Sequence, residues 1–254
     1  MKILEVKGLT KYFGGLGAVK DVDLALEEGE MLAVVGPNGA GKTTFFNLLS
    51  GFERPTSGTI IFNGEDITRL PAHSIARKGL IRTFQANVIY DQLSVTRNIM
   101  VGHYGCQRLN PLKEFLERPE DNPMVMANSQ EIIEVLGLEG RAHDLAKNLP
   151  HGPLRMLGMG HGVAGGPEVL LLDEPASGMT HAEIVNLMEA IQKFRSRGIR
   201  SVIIIDHNMK MVMKYSDRIA VLCFGEKIAE GRPAEIAHNP KVIEAYLGES
   251  YGTA

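Results

Sequence analysis

A glycine-rich loop of nine residues constrains the fold of this chain more than any other stretch. The loop reads Gly36-Pro37-Asn38-Gly39-Ala40-Gly41-Lys42-Thr43-Thr44 and fits the spacing G-x-x-x-x-G-K-T. The apolar stretch 31–35 before it is typical of a buried strand, and 45–49 after it favours a helix. Glycines let the backbone curl so that N–H groups point at phosphate oxygens, and the helix start adds partial positive charge. The sequence therefore predicts a strand, a phosphate-binding loop and a helix in succession.

Two side chains of the loop have the chemistry that a bound triphosphate requires. Lys42 would reach the β- and γ-phosphates, and the Thr43 hydroxyl would bind Mg²⁺. The alternative interpretation is a glycine-rich turn that merely starts a helix. Lys-Thr directly after the glycines, with an apolar strand in front, favours the phosphate site.

The second anchor of the prediction is the stretch Val169-Leu170-Leu171-Leu172-Asp173-Glu174-Pro175. Apolar residues followed by two carboxylates predict a central strand that presents acids at its carboxyl end, where open α/β sheets bind ligands. Asp173 would position Mg²⁺ through water, and Glu174 would polarise an attacking water molecule. A strand that simply ends in a charged turn is the alternative, which the phosphate loop upstream disfavours.

The bulk composition excludes several classes of function. The 254 residues are 44% hydrophobic and 22% charged, as in an ordinary soluble protein of one or two domains. The net charge of −3 offers no basic field for nucleic acid, and no apolar run approaches the ~20 residues that cross a bilayer. The start of the chain does not resemble a signal peptide. Cys106 and Cys223 lie far apart, as expected for free thiols in a reducing cytosol, so a membrane role must come through a partner.

The rest of the chain alternates strand and helix patterns, with one exception. Strands are predicted at 2–7, 21–26, 59–64, 80–85, 201–205 and 218–222, and helices at 71–78, 182–196 and 240–247. The exception is 86–150, which has scattered prolines and a helical pattern near 129–136, and which we interpret as a mostly helical insertion with a surface loop at 105–125. The adjacent aromatics Tyr12 and Phe13 would either stack on a nucleobase or pack in the protein.

Four features together resemble one family, the ATP-binding subunits of ABC transporters, over essentially the whole chain. They are the phosphate loop, Gln85, the pair Asp173-Glu174, and His207. The resemblance implies an α/β fold built on a P-loop NTPase core with a RecA-like parallel sheet. It also implies an N-terminal antiparallel β subdomain and an inserted α-helical subdomain.

The resemblance assigns roles to individual residues. Phe13 corresponds to the aromatic that stacks on adenine, and 36–44 to the residues that hold the phosphates. Gln85 corresponds to the glutamine that touches Mg²⁺ and the membrane subunit, and His207 to the histidine that contacts the γ-phosphate. The implied catalytic residues are thus Glu174, His207 and Gln85, and the implied Mg²⁺ ligands are Thr43, Gln85 and Asp173. The segment 177–180 falls where the family has a dimer-contact loop.

The resemblance further implies the organisation and setting of the protein. A single ATPase domain spans 1–254, with 1–85 and 163–254 as its catalytic core and 86–162 as its helical subdomain. ATP and Mg²⁺ are the expected cofactors, and hydrolysis is coupled to transport. The expected partners are a second ABC ATPase subunit, in a homo- or heterodimer, and transmembrane permease subunits, but no nucleic acid. The chain is expected in the cytoplasm, held at the inner face of the cell membrane by the permease.

Several stretches are similar to the importers of branched-chain amino acids within that family. They are Arg82-Thr83-Phe84-Gln85, Asp66-Ile67-Thr68, 225–231 and 242–248. Gly178-Met179-Thr180 is also similar to the related urea and short-amide importers. Two alternatives stay open, an ATP-gated dimerisation module with little hydrolysis and the ATPase subunit of a lipid or lipopolysaccharide exporter. A small-molecule kinase or a GTPase is disfavoured, because the chain has no Asn-Lys-x-Asp-type segment.

One stretch departs from the family pattern. The family signature Leu-Ser-Gly-Gly-Gln opens a helix that clasps the γ-phosphate on the partner subunit, and its counterpart here is Leu149-Pro150-His151-Gly152-Pro153. Pro153 donates no backbone N–H. The glycines within Gly158-Met159-Gly160-His161-Gly162 cost a helix ~1 kcal/mol each, so this stretch is either a helix compensated by packing or a looser loop. We therefore hypothesise that, if the chain works in a heterodimer, the two ATP sites differ in rate.

Overall fold

The computed structural model describes residues 1–83, 89–106 and 122–251, and the side chains of all of these except 105–106 and 248–251. The chain forms two compact units. The first unit is Met1–Ile75 with Arg200–Ala254, and the second is Ala76–Ile199. Gln85, most of the predicted loop at 105–125 and the Cys106 side chain lie outside the described residues.

The secondary-structure elements have the following bounds. The strands are β1 Lys2–Phe13, β2 Leu16–Glu27, β3 Met31–Val35, β4 Ser57–Phe62, β5 Glu65–Asp66, β6 Leu80–Thr83, β7 Val169–Asp173, β8 Ser201–Ile205, β9 Arg218–Cys223 and β10 Glu226–Gly231. The helices are α1 Lys42–Leu49, α2 Ala72–Arg77, α3 Val95–Cys106, α4 Pro123–Leu136, α5 His151–Ala164, α6 His181–Arg195, α7 Met209–Tyr215, α8 Pro233–Ala237 and α9 Pro240–Tyr251. Short 3-10 turns lie at Glu139–Arg141 and Ala146–Asn148.

The first unit contains an antiparallel sheet in the order β2-β1-β4-β5. The long hairpin of β1 and β2 supplies most of it, and Val22, Leu24 and Leu26 of β2 are buried at alternate positions. The alternation of apolar residues at 21–26 is thus explained by one face on a core and one face towards solvent. This sheet is the predicted N-terminal antiparallel subdomain.

The first unit also contains a second sheet whose strands run in the order β10-β9-β3-β8. Strand β3 lies parallel to both β8 and β9, and all five residues of β3 and of β8 are buried. Continuous apolar strands of this kind are covered on both faces. The phosphate loop leaves β3 and His207 follows β8, so both lie at the carboxyl edge of the same parallel pair.

The second unit combines a strand pair with helices. Strands β6 and β7 are parallel, with Arg82 opposite Leu171, and helices α3, α4 and α5 lie between them in the chain. These features confirm the predicted α/β fold with an inserted helical part, whereas the domain boundaries at 85 and 163 stay predictions. Helix α4 begins at Pro123, inside the predicted loop, because Asn122 accepts hydrogen bonds from Met124 N and Val125 N as an N-cap. Every helix in the described part of the chain is too short or too polar to cross a bilayer.

Candidate functional site

The phosphate loop has a backbone that only glycine tolerates at two positions. Gly36 and Gly41 have φ values of 150° and 97°. A Cβ atom on Gly36 would lie 2.0 Å from the Leu222 carbonyl oxygen, and one on Gly41 would lie 2.2 Å from the Ala18 carbonyl oxygen. Both distances are far below van der Waals contact, so side chains are excluded and the loop backbone packs directly on its neighbours.

The first turn of α1 is arranged to receive an anion. Gly41 occupies the N-cap position, no side chain among the described residues caps the helix, and the first turn, Lys42-Thr43-Thr44, contains no acid. The N–H groups that a helix leaves open at its start, and the positive end of its dipole, therefore remain for a ligand. This geometry fits a phosphate group.

Lys42 folds back over the loop that precedes it. Its side chain is buried, and Nζ donates hydrogen bonds to the carbonyl oxygens of Gly36 at 2.6 Å and Pro37 at 2.7 Å. The ammonium group thus stabilises the curled backbone, and it stays at the loop to which a phosphate would bind. Thr43 follows in the first turn with an exposed side chain, and its hydroxyl is the type of hard oxygen that Mg²⁺ prefers.

Phe13 ends β1 with a half-exposed ring. Its relative exposure is 45%, and Lys11 Nζ lies 4.8 Å from the ring centroid. A ring held in a core would be covered, so this exposure favours the stacking interpretation over plain packing. The neighbouring Tyr12 is exposed to a similar extent, 47%, although its Cε1 lies 2.9 Å from the position of a Cβ on Gly17.

His207 lies in the loop that connects β8 to α7. Its side chain is exposed, whereas the preceding Asp206 is buried and accepts a hydrogen bond from Asn208 N at 2.8 Å. Asn208 in turn caps α7 by accepting from Met211 N. These two bonds fix the turn that presents His207.

In the second unit, Asp173 forms a buried ion pair that the sequence did not predict. Arg82 Nη2 donates to Asp173 Oδ2 at 2.6 Å, and the two side chains are 5% and 11% exposed respectively. The register of β6 against β7 brings the two residues together. No local pattern in the sequence encodes that register, so the pairing could only be found in three dimensions.

Glu174 adopts a left-handed backbone conformation, with φ of 47°. This conformation costs a residue with a side chain about 1 kcal/mol or more. It turns the chain sharply away from β7, and the Glu174 carbonyl oxygen accepts a hydrogen bond from Ser177 N at 3.2 Å. Strain of this kind at the end of a strand is typical of functional positions, and it supports the catalytic role expected of Glu174.

Comparison with known proteins decides the family. The profile of the ABC transporter family matches residues 19–177, which is more than half of the chain. The chain belongs to the ABC transporter ATP-binding family. It is therefore an ATPase, and ATP is its nucleotide. A second profile, described as branched-chain amino acid ATP-binding cassette transporter, matches residues 226–252.

Relatives of this ABC ATPase match along its whole length. It is 41% identical to a high-affinity branched-chain amino acid transport ATP-binding protein of Pseudomonas aeruginosa, over 98% of both chains. It is 39% identical to the corresponding protein of Escherichia coli K12, again over 98% of both chains. A nucleotide-free ATP-binding cassette of an ABC transporter superposes with a TM-score of 0.86 at 26% identity, covering 97% of this chain and 99% of that one. A cassette in its ADP conformation gives 0.85 at 28% identity, covering 98% and 99%.

The helix that corresponds to the ABC signature begins with few backbone donors. Helix α5 starts at His151, with Pro150 at the N-cap and Pro153 in the first turn. The four N–H groups that a helix leaves open at its start are thereby reduced to those of His151 and Gly152. The described side chains provide no cap for α5 either. The helix start thus offers two open N–H groups instead of four.

An acid lies close to the same helix start. A Cβ atom on Gly152 would come 1.9 Å from Glu183 Oε1. Hydrogen bonds from the Thr180 backbone N–H and hydroxyl hold the pKa of Glu183 below its ordinary value, and the nearby His151 lowers this pKa further. Negative charge next to the start of α5 opposes an anionic ligand there.

The glycine-rich stretch 158–162 is helical, which decides between the two alternatives that the sequence left open. A Cβ on Gly160 would lie 2.5 Å from Leu136 Cδ1, and one on Gly162 would lie 2.7 Å from Thr83 Cγ2. The missing side chains therefore allow α5 to pack closely on its neighbours, and this packing offsets the poor helix propensity. Gly158 is different, because no described atom lies within 4 Å of its Cβ position.

Proposed function

We propose that this chain is the ATP-hydrolysing subunit of an importer for branched-chain amino acids or related small solutes such as urea and amides. The observation that carries the proposal is the 41% identity over 98% of a branched-chain amino acid transport ATP-binding protein. The C-terminal match to the branched-chain cassette profile supports the same assignment. The subunit would be cytoplasmic and bound peripherally to the inner face of the cell membrane through permease subunits.

In this proposal the first unit holds the nucleotide. Phe13 stacks on adenine, and the backbone N–H groups of 36–44 hold the phosphates. Lys42 exchanges its bonds to the Gly36 and Pro37 carbonyls for the β- and γ-phosphate oxygens. His207, exposed at the end of β8, donates to the γ-phosphate.

The remaining roles concern the metal and the attacking water. Mg²⁺ neutralises charge on the phosphate oxygens when it is bound. Thr43, Gln85 and Asp173 supply the hard oxygen ligands that suit this ion. Glu174, turned out of β7 by its left-handed backbone, accepts a hydrogen bond from the water that attacks the γ-phosphate.

Import requires two such subunits, and we propose that this one works with a different partner. Its own nucleotide-binding residues are complete, so the site built on them needs only an intact signature from the partner. The site built on the partner's nucleotide-binding residues would receive α5, which has two prolines at its start and Glu183 beside it. The first site should therefore turn over faster than the second.

Transport by reconstituted vesicles tests the function. The chain would be purified together with the permease subunits that accompany it and placed in vesicles with ATP on its own side. Uptake of leucine that requires ATP and is lost with Lys42→Ala supports the proposal, and urea and amides serve as alternative cargo. ATP binding without phosphate release would indicate the dimerisation module instead, and ATP-driven movement of lipid or lipopolysaccharide would indicate the exporter.

A further inference from the structure

The ion pair between Arg82 and Asp173 occupies the carboxylate to which the proposed function assigns Mg²⁺. The distance of 2.6 Å is that of a charge-assisted hydrogen bond, and both side chains are nearly buried. A carboxylate in such a position needs a partner, since an unpaired charge that is shielded from water is strongly destabilising. Arg82 thus provides that partner in a chain without bound metal.

The surroundings of Asp173 contain a second cationic side chain. Asp173 lines a cavity of about 20 Å³, together with Thr83 of β6 and Arg155 of α5. This volume holds about one water molecule. Arg155 Nε is buried without a hydrogen-bond partner among the described residues. Arg155 is therefore a second cationic side chain that lines the same cavity as Asp173.

We propose that Arg82 is a positioning residue that holds Asp173 in the metal-free protein and yields it when Mg²⁺ arrives with nucleotide. Mg²⁺ demands oxygen ligands at short distance and in strict geometry, and a guanidinium on Asp173 Oδ2 competes for the same oxygen. The negative charge of the phosphates is then needed for Mg²⁺ to displace the guanidinium from this oxygen. Arg82 would thus make Mg²⁺ binding depend on nucleotide, an inference that rests on the proposed role of Asp173.

Titration of Mg²⁺ against nucleotide affinity tests this inference without hydrolysis. The affinity of the full chain for a fluorescent ADP analogue would be measured in EDTA and over a range of Mg²⁺ concentrations. The variants are Arg82→Gln, which removes the cation, and Arg82→Lys, which keeps it. Arg77→Gln is the matched control, because it removes one arginine charge from an exposed side chain at the end of α2 in the same unit.

We expect the Mg²⁺ concentration at half-maximal effect to fall about tenfold in Arg82→Gln, since a cation in contact with the metal ligand is gone. In Arg82→Lys and Arg77→Gln this Mg²⁺ concentration should stay within about threefold of the wild-type value. Affinity in EDTA should be the same in all four proteins. An unchanged midpoint in Arg82→Gln, or an equal loss of affinity with and without Mg²⁺, would overturn the proposal.

Two further measurements distinguish failure of this inference from failure of the proposed role of Asp173 and from misfolding of the variant. If wild-type affinity does not depend on Mg²⁺ at all, the proposed role of Asp173 fails, whatever Arg82 does. If Arg82→Gln does not fold, nitrogen-15 NMR of the arginine side chains in the wild-type chain decides the matter. The Arg82 signals, assigned with Arg82→Lys, should shift when Mg²⁺ is added to the ADP complex, and unchanged signals would overturn the proposal.

Discussion

At the scale of single residues, Gly36 is the most sharply constrained glycine of the proposed nucleotide site. Substitution Gly36→Ala would place a Cβ 2.0 Å from the Leu222 carbonyl oxygen, so the loop must shift and its N–H groups turn away from the phosphates. We expect ADP affinity to fall at least about tenfold, measured by equilibrium titration, for the loss of one charge-assisted hydrogen bond or more.

Gly29→Ala is the control for this substitution. Gly29 also has a positive φ, 79°, but no described atom lies within 4 Å of its Cβ position. Its replacement should cost about 1 kcal/mol of stability through backbone strain and leave ADP affinity unchanged. Equal ADP affinity in the two variants would show that the loop tolerates a side chain at position 36.

The sequence predicts the identity of residues better than their conformation. Motif spacing predicted phosphate and Mg²⁺ roles for Lys42 and Asp173, because a phosphate loop and an acidic strand end each need those residue types at those places. The ion pair of Asp173 with Arg82 depends on the register of β6 and β7. The left-handed backbone of Glu174 depends on the turn after β7. Neither is encoded in a local pattern.

At the scale of elements, helix α5 contains glycines in two different environments, one with free space at the Cβ position and one in close contact with a neighbouring side chain. Gly158→Ala should raise the free energy of unfolding by ~1 kcal/mol, because it improves helix propensity at a position with free space. Gly160→Ala should lower it by about 1 kcal/mol, because the new methyl group would overlap Leu136 Cδ1 and overpacking outweighs the gain in propensity. Urea unfolding of the two variants measures both effects. Equal stabilisation by both would mean that α5 does not pack as described.

The helices α3 and α5 each contain a histidine whose pKa is lowered by burial, His103 and His161. The folded pKa thus lies below the unfolded value of about 6.5, and between the two the unfolded chain binds more protons. The contribution of these histidines to the free energy of unfolding should be complete above pH 6.5 and should decrease as the pH drops below that value. Unfolding free energies at pH 7.5 and 5.5 measure the loss.

His103→Leu identifies the source of this pH dependence. His103 is buried, and its Nε2 has no hydrogen-bond partner among the described residues. The variant should lose less stability than wild type between the two pH values, whereas His143→Leu, at an exposed position, should behave like wild type. An identical loss in His103→Leu and wild type would place the titrating group elsewhere.

At the scale of the whole molecule, the sequence predicted the α/β class because buried strands, phosphate loop and acids recur in a fixed order. It could not decide whether 158–162 is a helix, since that depends on side chains from α4 and β6 that are distant in the chain. The departures from the family are concentrated at α5, which the family uses to contact a partner. Under the proposed function, activity is a property of an assembly, and we propose that the two ATP sites of that assembly are unequal.

ATP hydrolysis by the assembled transporter with Glu174→Gln tests the central claim most directly. We predict that turnover falls at least about 100-fold while Mg²⁺·ATP affinity stays within about threefold, since the variant loses the base and keeps the phosphate loop. The equivalent change in the partner should cost much less. Hydrolysis at the wild-type rate by Glu174→Gln would contradict the mechanism, and equal losses from the two changes would contradict the unequal sites.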